Sequence, residues 1–207
     1  MPLAEPPPLT AEAFQAATAV SRETLARLRT YLALLEKWQP RINLVGAATL
    51  RDPWRRHFLD SAQLAPLLPE STRTLVDLGS GAGFPGLVLA ILGVPDVHLI
   101  ESDHRKVAFL REVAAATATK IVLHPARIEA VPPISADAVT ARALAPLASL
   151  VEYALPFLGP KGLCLFLKGK QAEQEVAESQ RLMTIERFVS RSDPSGVVLR
   201  LSAISPT

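Results

Sequence analysis

The sequence predicts a doubly wound α/β domain, with a mostly parallel sheet, an antiparallel C-terminal strand and a helical N-terminal cap. Three observations carry this. From residue 73 onward, short apolar runs alternate with helical stretches, as in βαβ units. The first run, Leu75-Val76-Asp77-Leu78, leads directly into a glycine-rich turn, Gly79 to Gly86. Before residue 70, apolar residues recur at helical spacing instead.

Residues 1–9 read as a flexible proline-rich tail, 10–70 as the helical cap, and 71–207 as one compact α/β unit. Thr10 and Ser21 are placed to cap two helices. Leu25, Leu28, Leu32, Leu35 and Trp38 form one apolar stripe on the second, and Pro40 lies just past its end. Asp52-Pro53 opens a third helix through about Leu64, which Pro66 and Pro69 terminate. Strands are expected at Thr74–Leu78, Val97–Glu101, Ile121–Leu123, Ala136–Thr140 and Leu163–Lys168. Helices are expected near 85–92, 104–116, 146–157 and 171–182. Ile185–Ser190 and Val197–Ser202 flank Ser192-Asp193-Pro194-Ser195-Gly196, a turn signal, and form a terminal antiparallel pair.

Composition narrows the class. Of 207 residues, 49% are apolar and 20% charged, enough for a large core and too ordered a composition for global disorder. One cysteine, Cys164, excludes a disulfide framework and a Cys-rich zinc site, and its place between Leu163 and Leu165 makes it a core filler. No apolar run approaches the roughly 18 residues needed to span a bilayer. No secretory signal is visible at the start, so the expected location is the cytoplasm. The histidines show no metal-ligand spacing, and no metal is expected.

The glycine turn lies at the sheet edge where open α/β folds bind ligands. Its glycines let backbone approach a ligand closely, and residues 81, 83 and 86 formally match the dinucleotide fingerprint. Asp77 argues against a dinucleotide, because a carboxylate beside the loop repels a pyrophosphate. It suits a cationic ligand, and S-adenosylmethionine carries an ammonium and a sulfonium without phosphate. Glu101 ends the second strand and is placed to accept ribose hydroxyls.

Asp77–Gly86 resembles the D-x-G-x-G-x-G-x-P-G motif of the bacterial glucose-inhibited division protein B family, the small-subunit (16S) ribosomal RNA guanine-N7 methyltransferases. The resemblance extends through Trp38, Asn43-Leu44, Arg56-His57-Phe58-Leu59-Asp60-Ser61, Arg105-Lys106, Phe109-Leu110, Ala141-Arg142-Ala143 and Leu167-Lys168-Gly169, covering roughly residues 20–203. It implies a Rossmann-like class I S-adenosylmethionine-dependent methyltransferase acting in the 530-loop region of 16S ribosomal RNA, free or within the 30S subunit. It further implies that Gly79 and Phe84 contact the donor, that Gly81 and Gly83 shape the loop, and that Glu101 takes the ribose. Ile128 and Glu129 match the adenine-holding segment, and Arg142 a ligand-site arginine near the reacting end, which implies both a donor-binding and a catalytic role for it. Two positions depart from common members: Glu101 stands where many have Asp, and Ala141 where Ser or Thr often precedes the arginine.

Methyl transfer to guanine N7 needs alignment and no general base, since N7 has a free lone pair and no proton to lose. Arg142 suits guanine O6 or a phosphate, or else a structural ion pair. His57 and Asp60 share a helix face, as a ligand site or as a helix-to-domain hydrogen bond. Trp38 and Trp54 either stack on bases or pack in the core. The net charge of +2 conceals an uneven distribution: residues 61–156 carry 7 basic and 9 acidic groups, whereas 21–60 carry 8 and 4. Arg51, Arg55 and Arg56, continued by Lys168 and Lys170, read as a phosphate-binding surface. Three other functions compete: methylation of another RNA or a small molecule, RNA-binding assembly with a vestigial donor site, and nicotinamide-dependent dehydrogenation, which Asp77 disfavours.

Overall fold

The computed structural model describes residues 6–178 and 183–204. Thr10 Oγ1 accepts the Ala13 N–H at 3.1 Å and Ser21 Oγ the Thr24 N–H at 3.0 Å, capping α1 (Ala11–Thr18) and α2 (Arg22–Trp38). The buried face of α2 runs through Leu25, Leu28, Tyr31 and Leu35, with Leu32 only half-buried. Tyr31 displaces Leu32 from the expected stripe because its hydroxyl has a buried acceptor, the Ala82 carbonyl. Trp38 packs edge-on against Phe109 and donates its Nε1–H to Glu112, while Trp54 is buried between Phe14 and Phe58, so neither indole is free to stack on a base.

The third helix is not the regular one expected. Trp54–Leu59 is π-helical and runs into a single α turn, α3 (Asp60–Ala62). Side chains claim its carbonyls, since Arg142 donates to the Arg56 oxygen at 3.2 Å and Ser61 to the His57 oxygen at 2.7 Å. Asp52 does cap the segment, accepting the Arg55 N–H, and also holds the Leu9 N–H at 2.9 Å. Arg55 donates to the Pro7 oxygen at 2.8 Å, so residues 7–9 are strapped down rather than forming part of a free tail. Residues 1–5 of that tail lie outside the described residues.

Among the described residues there are seven strands, β1 (Thr74–Leu78), β2 (Asp96–Ile100), β3 (Val122–His124), β4 (Ala136–Arg142), β5 (Leu158–Lys168), β6 (Thr184–Val189) and β7 (Val197–Ser202). Their order is β3-β2-β1-β4-β5-β7-β6. The first five run parallel, β7 is antiparallel to β5, and β6 is antiparallel to β7. β5 starts five residues before the expected Leu163, across a register shift opposite Ala136/Ala138.

Four helices follow strands: α4 (Gly86–Ile91), α5 (His104–Ala116), α6 (Leu147–Ala154) and α7 (Ala172–Ala177). Pro156 breaks the expected 146–157 helix into α6 and a 3-10 turn. Residues 179–182, the expected end of the last helix, lie outside the described residues.

Strand order reverses between β1 and β4, so the loops leaving their C-terminal ends diverge and open a crevice. Beneath it, Phe14, Leu28 and Tyr31 share one core with Phe84, Leu87, Phe109 and Leu110. The opposite face of the sheet closes on α6 through Leu147, Leu150 and Val151. Among the described residues no helix is long and apolar enough to cross a membrane. Nor do they include a group of three or more His, Cys, Asp or Glu placed to hold a metal.

Candidate functional site

The loop after β1 is fastened at several points. The Ser80 N–H donates to the Ile100 oxygen at 2.9 Å, and Gly83 N–H to the Ser80 oxygen at 2.7 Å. Gly81 N–H donates to Glu101 Oε2 at 2.8 Å. Gly83 sits at φ +91°, and a Cβ there would stand 2.5 Å from the Tyr31 hydroxyl. Its glycine thus serves the contact with α2 rather than the crevice. Gly86 permits a second close approach, because a Cβ there would lie 2.6 Å from the Asp77 Cβ.

Asp77 does not face the crevice. Its side chain is wholly buried under the loop, with Oδ1 accepting the Thr140 hydroxyl at 2.7 Å and Oδ2 unpartnered among the described residues. Burial pushes its pKa up to about 6, against the opposing pull of Thr140, Ser80, Gly86 and Arg142. With Oδ2 lacking a partner among the described residues, its charged form acts on a ligand through its field rather than by contact.

Two clefts meet above the loop. One, about 450 Å³, is lined by Gly79, Gly81, Glu101, Ile128, Glu129 and Tyr153 among others. The structure therefore brings together the ribose and adenine candidates with two of the loop glycines. Glu101 Oε1 accepts the Asp103 N–H at 2.7 Å and Oε2 the Gly81 N–H, which fixes the carboxylate at the cleft wall with a lone pair left on each oxygen. Tyr153 carries no sequence signal, because it sits on α6 at ordinary helical spacing.

The second cleft, about 820 Å³, is walled by His57, Asp60 and Phe84 on one side and by Lys168, Lys170 and the β6–β7 turn on the other. Arg142 and Lys106 line both clefts. Arg142 ends β4, and its side chain is 20% exposed. Its Nη1 donates to the Arg56 oxygen at 3.2 Å and His57 Nδ1 at 3.2 Å, and approaches Asp60 Oδ2 at 3.4 Å. Its guanidinium carbon lies 4.9 Å from the Phe84 ring centroid. One nitrogen is thus spent on anchoring, and the remaining N–H groups of the fork stay at the junction of the clefts.

The partners of His57 assign its tautomer. Thr49 Oγ1 donates to the Gly46 oxygen at 2.6 Å, so it accepts the His57 Nε2–H at 2.8 Å, leaving Nδ1 as the acceptor for Arg142. Burial, with Arg142 and Arg56 adding to it, pushes the imidazole pKa down to about 3. His57 is neutral with both ring nitrogens committed.

The expected cationic surface is largely neutralised. Arg55 is turned away from both clefts, its Nε on Asp52 at 2.7 Å. Lys168 lines the larger cleft, yet its Nζ contacts Glu175 at 2.6 Å and donates to the Ala145 oxygen at 3.0 Å. Arg56 lines the cleft paired with Asp193 at 2.8 Å. Among the described residues, Lys106 and Lys170 line the larger cleft without an ion pair. Lys106 was legible only as part of the Arg105-Lys106 pair.

A family model described as GidB, rRNA small subunit methyltransferase G, matches residues 24–197. The ribosomal RNA small subunit methyltransferase G of Rhodospirillum rubrum is 63% identical over 198 residues, covering 95% of this chain and 98% of that one. Its counterpart in Rhodospirillum centenum is 61% identical over 202 residues, covering 97% and 94%. Among solved structures, a putative O-methyltransferase from Klebsiella pneumoniae superposes with a TM-score of 0.60 at 14% identity, covering 93% and 95%, a likeness of fold alone. The match spans most of the chain, including the glycine loop, Arg142 and the segment that anchors it: this protein belongs to the GidB family of small-subunit rRNA methyltransferases G.

Proposed function

We propose that this protein transfers a methyl group from S-adenosylmethionine to N7 of a guanosine in the 530-loop region of 16S ribosomal RNA, in the cytoplasm. The observation that carries the reading is Arg142, held at the junction of two clefts beside a histidine that cannot act as a base. A reaction at N7 has no proton to remove, so a histidine with both ring nitrogens committed is no obstacle to it.

The residues present fit the donor. The unpartnered buried Asp77 Oδ2 supplies negative field beneath the loop for a ligand that carries two positive charges. The space above Gly81 is open, with only the Gly79 oxygen near a built Cβ, at 3.8 Å. Glu101 would hold the ribose hydroxyls, Ile128 and Glu129 would flank the adenine, and Gly79 would accept the methionine end beside Phe84. When bound, the donor supplies an electrophilic methyl on a sulfonium sulfur, which departs as a neutral thioether in S-adenosylhomocysteine. The N7 lone pair forms the new N–C bond as the C–S bond breaks, and the purine acquires the positive charge.

The chain's own contribution is alignment and exclusion of water. Arg142 orients the base from the cleft junction, while Phe84 and His57 back its guanidinium and fix where it points. Lys106 and Lys170 would take backbone phosphates flanking the target.

Transfer of labelled methyl to deproteinised 16S RNA, 30S subunits and tRNA, with the product base mapped, tests the reading. Label at guanine N7 of 16S RNA, in either the naked or the assembled form, is expected. Label only on tRNA, or at a position other than N7, overturns it.

A further inference from the structure

The two clefts meet in a fixed sequence of side chains. Moving outward from the smaller cleft, Arg142 lines both cavities, and Asp60 beside it lines only the larger. Around the purine edge of guanine the groups run in the matching order: N7, then O6, then N1–H. We infer that Arg142 and Asp60 read the guanine as a pair, Arg142 donating to O6 and Asp60 Oδ2 accepting N1–H, so that N7 turns toward the smaller cleft. This rests on the guanosine reading above and adds how the base is chosen.

The hydrogen bonds leave the needed groups open. Asp60 Oδ1 is engaged by the Ser192 hydroxyl and by Gln63 Nε2 at 3.1 Å, which fixes the carboxylate. Oδ2 makes only the loose 3.4 Å contact to Arg142 and retains acceptor capacity toward the cleft. The Asp60 side chain is 16% exposed, so the pair is sheltered without being closed off. Arg142 spends Nη1 on Arg56, His57 and Asp60, and keeps its other donors.

Chemistry narrows the pose further. A fork laid across O6 and N7 together, the common arginine contact to guanine, would occupy the lone pair that must attack. A single contact to O6 leaves N7 free. Adenine presents an amino donor where guanine has O6 and an acceptor at N1, so it would set donor against donor and acceptor against acceptor. The N1–H becomes more acidic as N7 gains its methyl, so its bond to Asp60 strengthens during the reaction. The pairing also demands a guanosine whose Watson–Crick edge is free, which makes the target an unpaired or extruded base.

The test uses 16S RNA assembled by ligation with guanosine, inosine or 2-aminopurine riboside at the target position, assayed naked and reconstituted into 30S subunits. Inosine keeps O6 and N1–H, whereas 2-aminopurine lacks O6 and has an unprotonated N1. Wild-type protein is expected to methylate inosine within about threefold of guanosine and 2-aminopurine at least 100-fold more slowly. Asp60→Asn presents an amide donor to N1, and is expected to lower kcat on guanosine at least tenfold, with donor affinity unchanged. It should also shrink the guanosine to 2-aminopurine ratio at least tenfold. Equal wild-type rates on guanosine and 2-aminopurine overturn the pair. So does a variant that loses activity on both with the ratio unchanged, which marks Asp60 as structural. If wild-type protein labels no guanosine RNA, the parent reading fails, and this one with it. If Asp60→Asn fails to fold, the three RNAs on wild-type protein still decide.

Discussion

The rings of Tyr31 and Phe84 lie stacked, 5.1 Å apart and 5° from parallel. One belongs to an N-terminal helix and the other to the glycine loop, and the Tyr31 hydroxyl also donates to the Ala82 carbonyl in that loop. The loop is therefore set from outside the sheet. Tyr31→Phe keeps the stack and leaves a buried carbonyl without its donor, at a cost of about 1–3 kcal/mol. A lower melting temperature and a several-fold weaker affinity for S-adenosylmethionine are expected by scanning calorimetry and titration. Unchanged donor affinity would separate the loop from α2.

Gly81 tests the donor cleft more directly. Its φ of +59° disfavours any side chain, and its N–H points at Glu101. Gly81→Asp adds a second carboxylate beside Glu101 in space the donor would enter. Donor affinity is expected to fall at least about 100-fold by titration calorimetry, with the fold retained by circular dichroism.

The sheet and its loop were readable because apolar alternation and glycine spacing are local properties of the chain. Strand positions came within one or two residues at most ends, and the antiparallel β6–β7 pair followed from its turn residues. Electrostatic pairing was not readable. Arg56 meets Asp193 across 137 positions, and Asp60 meets Ser192 across 132. A row of cations in sequence says nothing about which of them a distant carboxylate will neutralise. Tyr31 is opaque for a related reason: its helix stripe shows in the sequence, but its acceptor in the loop, 51 positions away, does not.

That pairing moves the expected phosphate contacts. Lys106→Gln and Lys170→Gln should each weaken RNA binding and reduce the salt slope of log K by about one. Arg55→Gln should leave RNA affinity unchanged, since its guanidinium is committed to Asp52 and Pro7. Filter binding across a salt series checks all three, and a lost slope in the Arg55 variant would restore the cationic surface expected from sequence.

Arg142 should tolerate no substitution. Lysine keeps the charge but cannot anchor one nitrogen on His57 while presenting others to the base. Both Arg142→Lys and Arg142→Ala are expected to lower kcat about 100-fold or more while RNA affinity changes less than threefold. Single-turnover methylation and equilibrium binding together check this, and turnover near wild type would make the arginine a structural ion pair.

His57 and Asp77 pull the pH dependence of stability in opposite directions. His57 has a folded pKa of about 3 against 6.5 when exposed, so the unfolded chain binds more protons between those values. Its share of stability is lost as pH falls from 6.5, by up to about 1.4 kcal/mol per unit. Asp77 has a folded pKa of about 6 against 3.8, so the folded state binds the extra proton and stability is lost as pH rises from 3.8 to 6. The two slopes offset each other between about pH 4 and 6. His124, lowered by burial and by His98, adds to the acid loss. Asp77→Asn removes one side of the balance. It should raise the melting temperature at pH 7.5, steepen the loss of stability between pH 6 and 4, and weaken donor binding at least tenfold by removing the negative field. Donor affinity of the wild type should likewise fall as pH drops through 6, where Asp77 takes up its proton. Denaturant melts and donor titrations at pH 4.5, 5.5 and 7.5 check each part. A variant as acid-tolerant as the wild type would refute the opposed pair.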